Sequence, residues 1–204
     1  MITEKEFEYK LLLSADEHEQ LENHLTKNFM KEITQTNYYF DTLTFFLRRC
    51  TISLRIREIN NQFTLTLKSK KKREGSVYYR EANECSWILS NDDARNIIQS
   101  QNLSSTTLPN DFNAMLQELS IDVNNLKMLG NLLTVRRLYD YAGDEICLDQ
   151  NTYLEMKDFE LELETFDPDV VKRLIKELEE LGVLMKKMEM GKYSRFLKRF
   201  LSAY

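Results

Sequence analysis

The feature that most constrains this chain is a period of two, in which ionisable and apolar residues alternate over several separate stretches. The first stretch reads, in order, Glu6, Phe7, Glu8, Tyr9, Lys10 and Leu11. Because successive side chains of a β-strand point to opposite faces, this pattern predicts a strand with one charged and one apolar face. An isolated strand of this kind usually turns its charged face to water. The repetition of the pattern is therefore what makes it informative.

The alternation recurs near the other end of the chain, and the stretches between the two acidic ones carry cations instead. The second acidic stretch places Glu160, Glu162 and Glu164 between apolar residues. In the intervening stretches, the ionisable residues that alternate with apolar ones are the cations Arg55, Arg57, Lys68 and Arg136 and the acid Asp149. Acids and bases are thus sorted by strand, an arrangement that contact with water alone does not require.

Helix signals separate the predicted strands. Ser14 and Glu17 have the spacing of a capping box, and Asp167 followed by Pro168 is a second helix start. The predicted helices cover 15–29, a segment after Ser90, 111–118, a segment from Pro168 to Gly182 and a segment from 192. Besides the first strand, strands are predicted at 34–41, 51–59, 62–69, 78–88, 131–141, 144–150, 153–165 and 183–189, with Asn60-Asn61 and Gly143 at turns.

These elements together predict an α+β fold. About eight antiparallel strands can close into a barrel whose interior and exterior side chains alternate. We therefore expect a closed or nearly closed antiparallel β-barrel, a tunnel with a charged lumen and with helices packed outside on the apolar face. An acidic strand, a cap and an amphipathic helix occur at Glu6–His24 and again at Glu160–Leu181. This echo indicates two pseudo-equivalent halves.

Composition limits the class of protein. A chain of 204 residues with five Gly, two Pro and no linker-like segment favours a single domain over 1–204. The net charge of −5 and the pI near 5.3 disfavour nucleic-acid binding. No apolar run is long enough to span a membrane, and the acidic amino terminus does not resemble a signal peptide. The expected location is cytoplasmic.

The cysteines and histidines point away from other chemistries. Three widely spaced cysteines, at positions 50, 85 and 147, indicate neither a disulfide framework nor a thiolate metal site. His18 and His24 both fall in the first predicted helix and are interpreted as structural or solvent-facing. Zinc binding and histidine acid–base catalysis are therefore not expected.

The alternating stretches, in this order, resemble a CYTH domain of the triphosphate tunnel metalloenzymes. That family begins with Glu-x-Glu-x-Lys, here Glu6-Phe7-Glu8-Tyr9-Lys10. The other matching fragments are Tyr39-Phe40-Asp41-Thr42, Leu54-Arg55-Ile56-Arg57, Thr66-Leu67-Lys68, Tyr79-Arg80-Glu81, Thr134-Val135-Arg136-Arg137, Leu148-Asp149, the Glu160/Glu162/Glu164 strand and Lys192-Tyr193-Ser194-Arg195-Phe196. The Glu-x-Glu-x-Lys fragment alone is a weak signal, but eight further fragments in family order across nearly the whole chain make a strong one.

The charged lumen is expected to bind a polyanion together with divalent cations, because buried charges without partners are costly. The residues expected to bind the substrate are Lys10, Arg55, Arg57, Lys68, Glu81, Arg136, Arg137 and Lys192. Metal ligands are expected at Glu6, Glu8, Asp149, Glu160, Glu162 and Glu164, where carboxylates suit Mg²⁺ or Mn²⁺. Catalytic roles are predicted for Glu6, Glu8, Lys68 and Glu162. The choices between Glu81 and Glu84, between Arg136 and Arg137, and within the Glu160/Glu162/Glu164 set stay open.

The resemblance implies a metal-dependent hydrolase of inorganic tripolyphosphate, or of a related organic triphosphate such as thiamine triphosphate. Its family scheme uses two metal ions and a water nucleophile, in keeping with the general view that phosphoryl transfer depends on positioning and charge. One alternative is a class IV-type adenylate cyclase that converts ATP to cyclic AMP. Another is a non-catalytic module that binds polyphosphate. A homodimer also stays open, because the sequence does not fix the oligomeric state.

Overall fold

The computed structural model describes residues 2–70, 79–103, 108–184 and 190–203. The side chains of 4–7, 70, 79–81 and 203 lie outside the described part. The strands are β1 Ile2–Leu13, β2 Phe29–Thr42, β3 Ile52–Ile59, β4 Gln62–Lys70, β5 Tyr79–Leu89, β6 Leu126–Tyr141, β7 Asp144–Tyr153 and β8 Met156–Glu164. The α-helices are α1 Ala15–Leu25, α2 Phe46–Arg49, α3 Asn91–Ser100, α4 Asn110–Glu118, α5 Pro168–Glu180 and α6 Lys192–Ala203.

The chain divides into two compact units. The first unit comprises Met1–Lys5, Gln35–Lys71 and Ala82–Leu132, and the second comprises Glu6–Thr34, Lys72–Glu81 and Leu133–Tyr204. The strand pairings described below each lie within one unit.

The sheet of the first unit is antiparallel and runs in the order β5-β4-β3-β2. Asn60 and Asn61, both with positive φ, form a two-residue turn that pairs Ile59 with Gln62, as left-handed turn residues favour in hairpins. The apolar side chains that alternate along these strands are buried together with residues of α3 and α4. Trp87 of β5, for example, meets Phe112 of α4 edge to face at 5.2 Å between ring centroids.

The sheet of the second unit is also antiparallel and runs in the order β1-β8-β7-β6. Ala142 and Gly143, both with positive φ, form the turn that pairs Tyr141 with Asp144. Leucines of the apolar parity form a buried cluster with one face of α1 and of α5. Since the apolar face of the sheet is covered, the charged residues of these strands lie on the opposite face.

Several sequence predictions are confirmed. Ser14 and Glu17 form the reciprocal capping box of α1, and Asp167 caps α5 with Pro168 in its first turn. The α+β class and the antiparallel pairing are also confirmed, while closure into a tunnel stays a prediction.

Other boundaries differ from the prediction. The first helix ends at Leu25 and continues as a 3-10 turn over Thr26–Asn28, so that β2 begins at Phe29 rather than at 34. The strand predicted at 183–189 lies largely outside the described residues, and its described part, 183–184, is not a strand.

Candidate functional site

The polar face of the second unit is assembled by register. Lys10 of β1 lies opposite Glu162 of β8, and Arg136 of β6 lies opposite Asp149 of β7, which in turn lies opposite Glu160. Directly paired residues share a face of the sheet. The sheet therefore brings together charges that are far apart in the chain, such as Lys10 and Glu162, which are separated by 152 positions.

Short ion pairs connect these charges. Lys10 Nζ lies 2.7 Å from Glu162 Oε1 and 2.9 Å from Glu8 Oε2. The Arg136 guanidinium donates to both carboxylate oxygens of Asp149 at 2.8 and 2.7 Å, and also to Glu162. Such bidentate, charge-assisted bonds fix both partners in orientation.

Helix α6 adds a further cation to the same carboxylates. Lys192 Nζ, on the first residue of the helix, lies 2.5 Å from Asp149 Oδ2 and 2.5 Å from Glu162 Oε1. It also lies 3.7 Å from Glu160 Oε2. The ammonium thus lies among three carboxylates, of which Asp149 and Glu160 are fully buried.

The carboxylates of this face differ in the direction of their pKa shifts. Burial alone would raise the pKa of Glu162, but the charges of Lys10, Lys192 and Arg136 outweigh it and hold the pKa well below its ordinary value. Burial raises the pKa of Glu160 in spite of the nearby Lys192 charge. Burial, followed by the charges of Glu8 and Glu162, raises the pKa of Glu164. Glu164 thus lies where burial and two neighbouring carboxylates disfavour its charged form.

A candidate metal centre lies at the Glu164 end of β8. Carboxylate oxygens of Glu8, Glu162 and Glu164 all lie within 4.8 Å of one another, because β1 and β8 pair Glu8 with Glu164. A donor set made only of carboxylates suits hard cations such as Mg²⁺ or Mn²⁺. Burial, and after it the charges of Glu8 and Glu162, raise the pKa of Glu164, and a divalent cation would offset the repulsion among these carboxylates. The residues thus fit the metal predicted from sequence, although they do not distinguish the two ions.

The polar face of the first unit is mainly basic. It contains Arg55 and Arg57 of β3 and Lys68 of β4, with Glu84 of β5 paired opposite Lys68. Two contacts of Glu84 are long, 3.4 Å to Arg55 Nη2 and 3.7 Å to Lys68 Nζ. Among the described residues, Arg55 Nε is buried and has no hydrogen-bond partner. This guanidinium therefore has donor capacity for an anion.

Arg57 and Asp41 are held by more local interactions. Arg57 Nε donates to Asn37 Oδ1 at 3.2 Å across the β2–β3 pair. Asp41 accepts from the backbone amides of Leu47 and Arg48 at 2.9 and 3.1 Å. The conspicuous aspartate of the Tyr39–Thr42 fragment thus stabilises the short helix α2.

The structure separates the predicted site residues. Arg136 faces the carboxylates, whereas Arg137 has the opposite parity and binds Glu22 and Glu32. The side chain of Arg137 thus lies on the face that carries α1, and a role for Arg137 in substrate binding stays a prediction. The side chains of Glu6 and Glu81 lie outside the described part of the chain, while Glu84 lies beside Arg55 and Lys68.

Two residues of the polar network were not among the predicted site residues. Asp158 of β8 and Arg195 of α6 form an ion pair with Nε–Oδ2 at 2.8 Å, and Arg195 also donates to Glu160 at 2.7 Å. Asp158 shares the parity of the Glu160, Glu162 and Glu164 set, which is a signal that could have found it. Arg195 lies in the last matching fragment, but its partner could not be read from the pattern.

Comparison with known proteins agrees with this architecture. The chain belongs to the CYTH domain family, whose sequence profile matches residues 4–192. A relative from Bacillus subtilis (strain 168), named as a candidate triphosphatase, YjbK, is 28% identical over 167 residues, which are 82% of this chain and 80% of that protein.

Two solved structures are similar over nearly the whole chain. HpAC1 from Hippeastrum, described as a candidate adenylyl cyclase with a dominant triphosphatase activity, has a TM-score of 0.82 and 26% identity over 95% of each chain. A candidate adenylate cyclase from Bacillus halodurans has a TM-score of 0.78 and 30% identity over 96% of this chain and 99% of its own. None of the described helices combines the length and apolar character needed to cross a membrane.

Proposed function

We propose that this protein is a divalent-metal-dependent triphosphatase that hydrolyses inorganic tripolyphosphate or a related organic triphosphate. The observation that carries the proposal is the cluster of Glu8, Glu162 and Glu164, whose carboxylate oxygens lie within 4.8 Å of one another on a sheet face that also presents cations. The charged tunnel predicted from sequence stays a part of this proposal.

The metal would be held by Glu8, Glu162 and Glu164, with Asp149 and Glu160 as neighbouring carboxylates. A bound Mg²⁺ or Mn²⁺ supplies Lewis-acid polarisation of phosphoryl oxygens and lowers the pKa of coordinated water. Lys10 and Arg136 would keep the Glu162 carboxylate ionised and oriented, because both lie in short contact with it. An ionised carboxylate is the form that binds a cation.

The basic face of the first unit would bind phosphate oxygens. The buried Nε of Arg55 has no hydrogen-bond partner within the described part of the chain, and its contacts with Glu84 are long. A guanidinium presents a planar fork that matches phosphate geometry, so Arg55 and Arg57 suit bidentate contacts, whereas Lys68 provides a point charge. Since phosphoryl transfer depends chiefly on positioning and charge stabilisation, no side-chain nucleophile is required.

The names of the relatives support the same activity. YjbK is named as a candidate triphosphatase, and HpAC1 is described as having a dominant triphosphatase activity. Adenylate cyclase is the second candidate, because the names of both similar structures refer to it.

The test is a panel of substrates and metals. Phosphate release from tripolyphosphate, thiamine triphosphate, ATP and pyrophosphate is measured with Mg²⁺, with Mn²⁺ and with EDTA. We expect metal-dependent release from tripolyphosphate or from an organic triphosphate, and little from pyrophosphate. Cyclic AMP formed from ATP without phosphate release would favour the cyclase. Saturable binding of tripolyphosphate without turnover under any metal would favour a binding module and overturn the proposal.

A further inference from the structure

Arg195 of α6 is more completely engaged than an exposed helix residue would be. Its Nε and Nη2 donate to the two carboxylate oxygens of Asp158 at 2.8 and 3.1 Å. Nη2 also donates to Glu160 Oε2 at 2.7 Å, and Nη1 donates to the carbonyl of Met190 at 2.9 Å. All three guanidinium nitrogens therefore have partners, and the side chain is only 10% exposed.

Asp158, the ion-pair partner of Arg195, is itself held by hydrogen bonds from two neighbouring side chains. Asp158 accepts from Asn151 Nδ2 at 2.9 Å and from the Tyr153 hydroxyl at 2.7 Å. Asn151 in turn accepts from the Thr134 hydroxyl at 2.7 Å. The chain of bonds joins β6, β7 and β8 to α6, and a buried network with satisfied members is rigid.

This anchor has consequences for Lys192 and Glu160, two residues beside the candidate metal centre. Lys192 and Arg195 are three positions apart on α6 and so lie on the same side of the helix. Fixing Arg195 therefore fixes the first turn, from which Lys192 Nζ reaches Asp149 and Glu162. The bond from Arg195 also fixes Glu160, whose Oε2 is bound while Oε1 has no partner among the described residues.

We infer that Arg195, through its ion pair with Asp158, is a positioning residue that holds Lys192 and Glu160 in place at the metal-binding carboxylates. The inference rests on the proposed function, in which those carboxylates bind a divalent metal. Arg195 itself touches neither substrate nor metal in this account. Its effect passes through the orientation of Glu160 and the placement of Lys192.

The test compares Arg195→Gln with Arg195→Lys, which retains one donor group and the charge. The matched control is Arg199→Gln, because Arg199 lies one turn further along α6 and its Nε donates only to the Leu154 carbonyl, at 3.3 Å, among its recorded hydrogen bonds. Mn²⁺ binding is measured by calorimetry, and kcat and KM are measured for the best substrate of the panel. Circular dichroism and thermal unfolding confirm that each variant folds.

We expect Arg195→Gln to weaken Mn²⁺ binding and to lower kcat by about 10–100-fold, the range typical for outer partners of metal ligands. KM should change less than kcat, Arg195→Lys should recover part of the loss, and Arg199→Gln should resemble the wild type. Asp158→Asn should reproduce the loss of Mn²⁺ affinity and kcat. The double variant Arg195→Gln/Asp158→Asn should lose little more than either single variant, since both changes break the same ion pair.

Two results would overturn the inference. One is a folded Arg195→Gln protein with wild-type Mn²⁺ binding and wild-type kcat. The other is a double variant whose losses are the product of the single losses. The calorimetric readout separates this failure from failure of the proposed function, since wild-type Mn²⁺ binding is measured without turnover. Should the wild type bind no Mn²⁺, the inference falls together with the metal centre.

Discussion

In the first unit, the polar face presents Arg55, Arg57 and Lys68, with the acid Glu84 at 3.4 Å or more from Arg55 and Lys68. In the second unit, the recorded contacts of Asp149 and Glu162 with their cations are 2.8 Å or shorter. The two sheets share antiparallel pairing and a two-residue hairpin turn, yet the face of the first presents mainly cations, while the face of the second presents buried carboxylates in short ion pairs.

The difference shows how one repeated pattern can supply two kinds of site. A cation with spare donor capacity can bind an anion without first breaking a strong pair, which suits Arg55 to phosphate. Carboxylates held by cations keep a fixed geometry and a low pKa, as Glu162 does, and this suits them to a divalent metal. In the proposed function, the polar face of the first unit therefore binds phosphate, and the polar face of the second unit binds the metal.

The largest effect is expected from Glu8→Gln in the second unit. The change removes one charged ligand of the candidate metal centre but leaves Lys10 its pair with Glu162. We expect metal-dependent phosphate release to fall by more than about 100-fold, since loss of an outer partner alone costs about 10–100-fold. Initial rates at several Mg²⁺ and Mn²⁺ concentrations measure it.

The control for this change is Glu180→Gln, because Glu180 is an exposed residue of α5 whose recorded ion pair is with Lys176 on the surface. It should retain wild-type rates. Wild-type activity in a folded Glu8→Gln protein would contradict the proposal that Glu8 of the second unit binds the catalytic metal.

An intermediate effect is expected from Arg55→Ala in the first unit. A hydrogen bond to a charged group contributes about 1.5–3 kcal/mol, so KM for tripolyphosphate should rise by about 10–100-fold. The midpoint of metal activation should change little, because the proposed metal ligands lie in the second unit. Steady-state kinetics with substrate and metal varied separately would distinguish the two effects.

Arg95→Ala is the matched control in the same unit, since Arg95 of α3 hydrogen-bonds Asn61 at an exposed position. Its kinetics should equal those of the wild type. A rise in the metal requirement of Arg55→Ala, with KM unchanged, would reverse the division proposed between the two faces.

The smallest effect concerns stability in acid. Burial would raise the pKa of Asp158, but the hydrogen bonds and charge of Arg195 outweigh it, so the pKa lies below its ordinary value of 3.8. A lowered pKa stabilises the fold above pH 3.8, and this contribution is lost as pH falls through the folded pKa. The free energy of unfolding should therefore decline less steeply below pH 3.8 in Asp158→Asn.

For one proton, the difference in slope is at most about 1.4 kcal/mol per pH unit. Urea unfolding of both proteins at pH 6, 4 and 3 measures it, and the pH 6 data provide the internal reference. Parallel pH profiles would show that the Arg195–Asp158 pair does not stabilise the second unit.

Local sequence signals were sufficient for much of the fold. The capping box of α1, the proline start of α5 and the Asn60-Asn61 turn all rest on interactions within a few residues, and each is present. The ends of β2 and β8 were less accurate, because strand ends depend on where a partner strand stops. That information lies far away in the sequence.

The candidate site, too, could be predicted only in part from local sequence signals. Parity alone grouped Glu160, Glu162 and Glu164, but it could not choose between Arg136 and Arg137. The Ala142-Gly143 turn pairs Tyr141 with Asp144 and hence places Arg136, rather than Arg137, opposite Asp149. The contact between Arg195 and Asp158 joins a helix to a strand 37 positions away, and no period in the sequence encodes it.

The most direct test of the central claim is the anomalous diffraction of crystals grown with Mn²⁺ and tripolyphosphate. The account predicts a manganese peak coordinated by the carboxylates of Glu8, Glu162 and Glu164. Manganese bound elsewhere, with these three carboxylates contacting only protein groups, would contradict it.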